Sequence, residues 1–192
     1  MEIVTHTFTE TADPKMAKEV LLNAKLRRTS ICGATESVLI DVSIARTLLP
    51  VLLEALIGSG CEVRGDEAVC ASDNRVIAAG EVDWSTEYLD AVVSVKTVSN
   101  VDEAIQHINR YGSHHTDAII AGDLAATEKF LSEVDSAIVM VNASTQFADG
   151  GEFGMGGEIG IGTGRLHARG PVGAEQLTTY KYVVRGNGQT RA

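Results

Sequence analysis

Cys32 is the residue of this sequence best placed to act as a nucleophile. It stands in the stretch LRRTSICGATE, residues 26–36, between a helical pattern and an apolar run. Arg27 and Arg28 precede it closely, and nearby cations favour the reactive thiolate over the thiol. Gly33 follows it and would let a substrate approach the backbone N–H groups. The pattern favours a nucleophilic Cys32, although a single cysteine is also typical of a buried core position.

The other two cysteines have a different setting. Cys61 and Cys70 flank the acidic stretch EVRGDEAV, which predicts raised thiol pKa values and a structural role. An odd count of three cysteines without short paired spacing argues against a disulfide framework or a zinc site. We therefore expect a reducing compartment, the cytoplasm.

A second group of candidate residues lies in a glycine-rich segment. Residues 150–170 contain nine glycines, yet they match neither a Walker loop nor a dinucleotide-binding fingerprint. Phe153 and Met155 interleave with the glycines, which predicts a packed segment that a ligand approaches closely, rather than a flexible linker. His167 lies between Arg165 and Arg169 and is either an ordinary surface histidine or a contact for phosphate or carboxylate.

The charge distribution limits the classes of partner. The net charge is −10, and residues 47–164 alone hold 19 acidic against 5 basic residues. Nonspecific binding to nucleic acid or to acidic lipid is therefore disfavoured. No apolar run reaches the length of a membrane span, and no secretory signal is visible in the first ten residues. The adjacent His114 and His115 are too close for a typical metal pair, and we assign no metal.

The periodicity of the chain predicts an α/β fold. Apolar strands at 37–41, 91–98, 117–122 and 136–144 alternate with helical patterns at 13–28, 43–58, 100–112 and 123–134. Continuous apolar strands between amphipathic helices indicate a parallel sheet covered on both faces. Pro50 predicts a kink or a restart in the second helix. Residues 175–186 predict a terminal strand, which would pair with another chain.

Four long blocks carry a resemblance to a known family. They are NAKLRRTSICGATESVLID, VDEAIQHINRYGSHHTDAII, VDSAIVMVNASTQFADGGEFGMGGEIGIGTGRLHARGPVG and LTTYKYVVRG. Together they resemble the gamma-glutamyl phosphate reductases of the aldehyde dehydrogenase superfamily, over residues 3 to 186. The resemblance implies a catalytic α/β domain at 1–144 with a first strand within 1–12. It further implies a glycine-rich return segment at 145–174 and an oligomerisation strand and tail at 175–192.

The resemblance also implies a reaction. The family reduces L-glutamyl 5-phosphate with NADPH to L-glutamate 5-semialdehyde and phosphate, a step of proline biosynthesis. Cys32 falls on the family's nucleophile, and Glu87 on a glutamate that contacts the nicotinamide ribose. Candidates for binding substrate phosphate or carboxylate are Arg27, Arg28, His167 and Arg169. Homo-oligomers formed through the terminal strand are expected.

Three departures qualify these expectations. The stretch YGSHHT has His114 where the family usually has glycine, and LDA replaces the usual residues after Glu87. The family's N-terminal cofactor-binding domain has no counterpart in these residues, so we expect the chain alone to lack reductase activity. Two alternatives stay open: another thiol-dependent aldehyde dehydrogenase, and a non-catalytic oligomerisation module.

Overall fold

The computed structural model describes all 192 residues and contains nine strands and five α-helices. The strands are β1 (Thr5–Phe8), β2 (Ser37–Asp41), β3 (Glu62–Gly65), β4 (Ile77–Ala78), β5 (Val92–Val98), β6 (Thr116–Ile120), β7 (Ile138–Val141), β8 (Gly160–Gly162) and β9 (Gly170–Val172). The helices are α1 (Pro14–Leu26), α2 (Val42–Gly58), α3 (Glu67–Ser72), α4 (Val101–Tyr111) and α5 (Leu124–Glu133). Two 3₁₀ helices span Glu81–Ser85 and Thr145–Phe147.

Seven strands form one sheet in the order β4-β3-β5-β2-β1-β6-β7, and all its pairs are parallel. β8 and β9 form a separate antiparallel pair. Parallel pairing requires the long crossover connections that the helices supply. The predicted α/β class with a parallel sheet is confirmed.

Alternating side chains of the strands build two cores. Val38 and Ile40 of β2 pack in a cluster with α1 and α2, whereas Leu39 between them packs in a cluster with α4 and α5. This alternation is expected for a strand buried on both faces. The result is a three-layer sandwich with β2 and β1 at its centre.

Asparagine and aspartate side chains fix the helix starts. Asp13, Asp41, Asn100 and Asp123 each accept a hydrogen bond from a backbone N–H in the first turn of the following helix. Such caps satisfy N–H groups that have no partner within the helix. The predicted helices are confirmed within one or two residues at their starts. Pro50 lies inside α2, which continues without a restart.

The structure adds elements and omits one. Residues 62–78, which carried no strong pattern, form β3, α3 and the edge strand β4. Residues 175–192 contain no strand and are largely exposed, so the predicted terminal strand does not form within the single chain. A strand needs a neighbour for its backbone groups, and this segment has none within the chain. None of the helices combines the length and apolar character that crossing a bilayer requires.

Candidate active site

A cleft of about 720 Å³ opens beside Cys32. One wall is formed by the end of α1 and the following loop, including Arg27, Arg28, Cys32 and Gly33. The opposite wall is formed within residues 142–158. Cys32 is exposed, so it is not a buried core cysteine. The structure therefore brings three of the predicted site residues, Arg27, Arg28 and Cys32, into one cavity.

Gly33 allows the cysteine loop to pack closely against the 3₁₀ turn at Thr145–Phe147. A Cβ atom at Gly33 would lie 3.0 Å from the backbone oxygen of Thr145. The Thr145 hydroxyl donates a 2.8 Å hydrogen bond to the Gly33 carbonyl. Gly33 is buried, so its lack of a side chain serves this packing. The sequence had instead suggested that it allows a substrate to approach.

Gln146 closes the other side of the loop. Its Nε2 donates to the carbonyls of Ala24 and Arg28, at 2.9 and 3.1 Å. Its Oε1 accepts from Nη1 of Arg27 at 3.2 Å. One amide thus holds the last turn of α1 and orients one of the two cleft arginines.

A buried ion pair joins the two ends of the same loop. Lys25 Nζ lies 2.6 Å from Oε2 of Glu36, and their side chains are 0% and 1% exposed. Burial raises the pKa of Glu36, and Lys25 opposes that rise. The Oε1 atom of Glu36 accepts from the Leu89 N–H at 3.3 Å. This pair, which is buried from water, therefore holds together the two ends of the segment between Lys25 and Glu36.

His6 supports this arrangement from the sheet. Burial lowers the pKa of His6 to about 4, so the ring is neutral near pH 7. Its Nε2 lies 3.2 Å from the Ala143 carbonyl and must donate, because a carbonyl only accepts. Its Nδ1 therefore accepts from the Thr35 hydroxyl at 2.8 Å. The tautomer is fixed, and it links β1 to both walls of the cleft.

The electrostatics of Cys32 differ from the expectation. Partial burial raises the pKa of its thiol, and the carboxylates of Glu158 and Glu2 raise it further. Backbone N–H groups of Cys32 and Gly33 act in the opposite direction. The prediction that Arg27 and Arg28 hold this cysteine as thiolate is therefore wrong for this structure, because partial burial and then the two carboxylates raise the thiol pKa.

The remaining candidates lie apart from the cleft lining. Arg169 donates to Asp135 at 2.9 Å through Nη1, and Arg165 donates to the same carboxylate. His167 is exposed on the segment between these arginines. Glu87 is half-buried, and its Oε2 lies 3.7 Å from the terminal ammonium group of Met1. The neighbouring arginines thus fasten the return segment to Asp135 and do not point at the thiol cleft.

The two adjacent histidines point to different partners. His114 has φ +62°, a left-handed conformation in which glycine is unstrained, and its Nδ1 lies 2.6 Å from the Asp135 carbonyl. This explains why glycine suits the position. Nδ1 of His115 contacts the Thr116 hydroxyl at 2.9 Å. Cys61 is buried, which raises the pKa of its thiol to about 11 and agrees with its predicted structural role.

Several residues of the site carried no sequence signal strong enough to single them out. They are Lys25, Glu36, Thr145, Gln146 and Glu158. The position of Lys25 and Glu36 at the two ends of the cysteine loop was the one available hint. Their pairing depends on how the loop closes, which sequence spacing does not fix.

Comparisons with known proteins show which sequences and folds this chain is similar to. The model of the aldehyde dehydrogenase family matches residues 82–183. The gamma-glutamyl phosphate reductase of Paramagnetospirillum magneticum is 61% identical over 192 residues, covering 100% of this chain and 45% of the relative. The crystal structure of gamma-glutamyl phosphate reductase from Thermotoga maritima superposes with a TM-score of 0.97 at 47% identity, covering 100% of this chain and 46% of that one.

More distant structures share the fold. An acetylating aldehyde dehydrogenase from Geobacillus thermoglucosidasius has a TM-score of 0.71 at 18% identity, covering 98% of this chain and 52% of that one. The chain thus spans about half the length of the relatives that it matches, 45% in the Paramagnetospirillum case.

Proposed function

Because the chain belongs to the aldehyde dehydrogenase family, we propose that it forms the thiol-bearing part of an NADPH-dependent gamma-glutamyl phosphate reductase. The reaction is the reduction of L-glutamyl 5-phosphate to L-glutamate 5-semialdehyde with release of phosphate. The observation that carries this proposal is the exposed Cys32 in a cleft that also contains Arg27 and Arg28. The names of relatives 61–62% identical over the chain supply the substrate.

The residues of the cleft fit the first half of this reaction. The Cys32 thiolate attacks the acyl carbon of the substrate, and the carbon–oxygen bond to phosphate breaks with its electron pair on the leaving phosphate. Arg27 and Arg28 provide donors for the phosphate oxygens. The product of this half-reaction is a thioacyl group on Cys32. The backbone N–H groups that face the sulfur stabilise the thiolate before the attack.

A bound nicotinamide cofactor would supply the hydride for reduction of the thioester on Cys32. Glu87 fits the role of an acceptor for ribose hydroxyls, since its carboxylate is half-buried and pairs with no lysine or arginine side chain. After reduction, the thiohemiacetal on Cys32 collapses, which releases the aldehyde and restores the thiolate.

A chimaera tests the proposal. This chain replaces the corresponding part of the 61% identical Paramagnetospirillum magneticum enzyme. We expect NADP⁺ reduction by L-glutamate 5-semialdehyde that depends on inorganic phosphate, and its loss in the Cys32→Ser variant. Activity without phosphate would instead indicate an aldehyde-oxidising enzyme that hydrolyses its thioester. The isolated chain should show no NADPH oxidation.

Arginine variants of the same chimaera test phosphate binding. Arg27→Gln and Arg28→Gln should raise the KM for phosphate in the reverse direction, by about tenfold for a lost charged hydrogen bond. Arg169→Gln should instead leave KM near the wild-type value, because this guanidinium pairs with Asp135. A KM increase only in Arg169→Gln would refute the assignment of the phosphate to the thiol cleft.

We also propose that residues 175–192 pair with a second copy of the chain. Large side chains of this segment are strongly exposed in the single chain: Leu177, Tyr180, Tyr182, Val183 and Val184. A neighbouring strand would cover them and satisfy the backbone. Deletion of 175–192 should shift an oligomer to monomer in light scattering, and an unchanged mass would contradict the pairing.

A further inference from the structure

The two walls of the Cys32 cleft carry opposite charges. Arg27 and Arg28 lie on the wall formed by α1 and its following loop. The facing wall, from the return segment, carries Asp149, Glu152 and Glu158. A ligand that reaches from one wall to the other across Cys32 is therefore expected to be anionic at one end and cationic at the other.

Glu158 is the one half-buried acidic residue of this wall, whereas Asp149, which accepts a hydrogen bond from the Gly151 N–H, is exposed. The Oε2 atom of Glu158 accepts a 2.7 Å hydrogen bond from the Gly150 N–H. No lysine or arginine pairs with it, so the charge is not neutralised within the chain. Glu152 is exposed and has no such backbone anchor. A fixed carboxylate without a cation, beside a reactive thiol, has the chemistry of a site for an ammonium group.

We propose that Glu158 binds the α-ammonium group of an amino-acid substrate whose acyl carbon lies at Cys32. The inference rests on the proposed function, which supplies a substrate with an acyl phosphate at one end and an amino-acid head at the other. The phosphate faces the arginine wall and the ammonium faces Glu158. The carboxylate thereby selects a glutamyl chain over the same chain without its amino group.

This pairing also links binding to reactivity. In the free cleft, Glu158 is the charged group that raises the pKa of Cys32 most. An ammonium group bound to Glu158 cancels that field, so the thiol pKa falls while the substrate is in place. The cysteine is then held mainly as a thiol in the free cleft, which protects it from oxidation and alkylation, and its thiolate fraction rises when the cationic head arrives.

Alkylation of Cys32 tests the inference on the chain itself, without cofactor or phosphate. The probes are 3-bromopropylammonium and 3-bromopropanol, which share the reactive carbon and differ in the cationic end. Mass spectrometry of the Cys32 peptide gives the rate for each probe. In the wild type we expect the cationic probe to react faster, and in Glu158→Gln the ratio of the two rates should fall about fivefold, as for loss of a partly exposed ion pair.

Two matched variants complete the test. Glu158→Asp retains the charge and should keep most of the preference, whereas Glu152→Gln removes a charge from the same wall and should leave the ratio unchanged. Gln at 158 keeps an oxygen for the Gly150 N–H, and the ratio compares two probes on one protein, so a distorted loop affects both rates alike. An unchanged ratio in Glu158→Gln, or an equal fall in Glu152→Gln, overturns the inference. If the chimaera fails to reduce NADP⁺ with L-glutamate 5-semialdehyde and phosphate, the reductase proposal is refuted, but the two alkylation rates and their ratio are unaffected.

Discussion

The ion pair between Lys25 and Glu36 should be among the most sensitive points of the fold. Replacing Lys25 with methionine removes the cation and leaves a carboxylate that is 1% exposed. Breaking a buried pair in this way costs about 3–5 kcal/mol. Because a domain of this size is stable by about 5–15 kcal/mol, Lys25→Met should lose a large part of its free energy of unfolding.

The loss should depend on pH. Burial already raises the pKa of Glu36, and without Lys25 nothing of comparable strength opposes that rise. The folded variant therefore holds a proton to higher pH than the unfolded chain does, and its stability falls as pH rises from the unfolded pKa near ~4.3 through the higher folded pKa. The destabilisation relative to wild type should be largest at neutral pH and smaller in acid.

Urea denaturation of a double-mutant cycle measures the effect. The double variant Lys25→Met with Glu36→Gln has no buried charge and keeps an acceptor for the Leu89 N–H, so it should recover most of the stability. Lys129→Met is the matched control, since Lys129 is 37% exposed in its pairs with Asp102 and Glu133 and its loss should change stability far less. A loss in Lys25→Met no greater than in Lys129→Met would refute the reasoning.

Three further substitutions probe the cysteine loop and two positions outside the cleft. Asp117 lies on β6, where its carboxylate accepts hydrogen bonds from the Thr5 N–H and the Ser136 hydroxyl, and burial raises its pKa to about 6. The folded protein therefore binds the proton more tightly than the unfolded chain does, and its stability falls as pH rises between about 4 and 7. Asp117→Asn should remove about 2–3 kcal/mol of this pH dependence in urea titrations. Gly33→Ala places a methyl group against the Thr145 carbonyl. The substitution should lower the free energy of unfolding by about 1–3 kcal/mol and alter the alkylation rate of Cys32. Unchanged values of both would show that the loop moves to accommodate the methyl group. His114→Ala loses the hydrogen bond to Asp135 and keeps the left-handed backbone, so its melting temperature should lie below that of His114→Gly, by the equivalent of about 1 kcal/mol.

Most of the fold could be predicted because local signals and burial agree. Asp13 followed by Pro14, and Asn100 before a polar first turn, mark helix starts through contacts a few residues away. The strands at 37–41 and 91–98 are apolar on both faces because helices cover both. Residues 62–78 were missed because β3 alternates between buried and half-exposed positions and β4 is exposed, so neither has a continuous apolar run.

The site was predictable only in part. The place of Cys32 between a helix and a strand marked it as a candidate, but part of the rise in its thiol pKa comes from Glu158, which lies 126 positions further along the chain. Likewise, a short stretch of sequence holds Arg165, His167 and Arg169 at alternate positions. In the structure the two arginines donate to Asp135 and do not reach the thiol cleft. The partners of charged side chains that are far apart in the sequence cannot be predicted from the residues next to them.

The contacts between Thr145, Gln146 and the cysteine loop have a consequence for synthesis of the protein. They join residues separated by 112 to 122 positions, so the loop acquires its final support only after the chain has been translated beyond residue 147 and that turn has left the ribosome. Closing so long a segment is slow compared with forming a helix. During translation the Cys32 thiol therefore lies on a loop that does not yet have its hydrogen bonds to Thr145 and Gln146. Oxidants and electrophiles in the cell reach the thiol most easily during this interval.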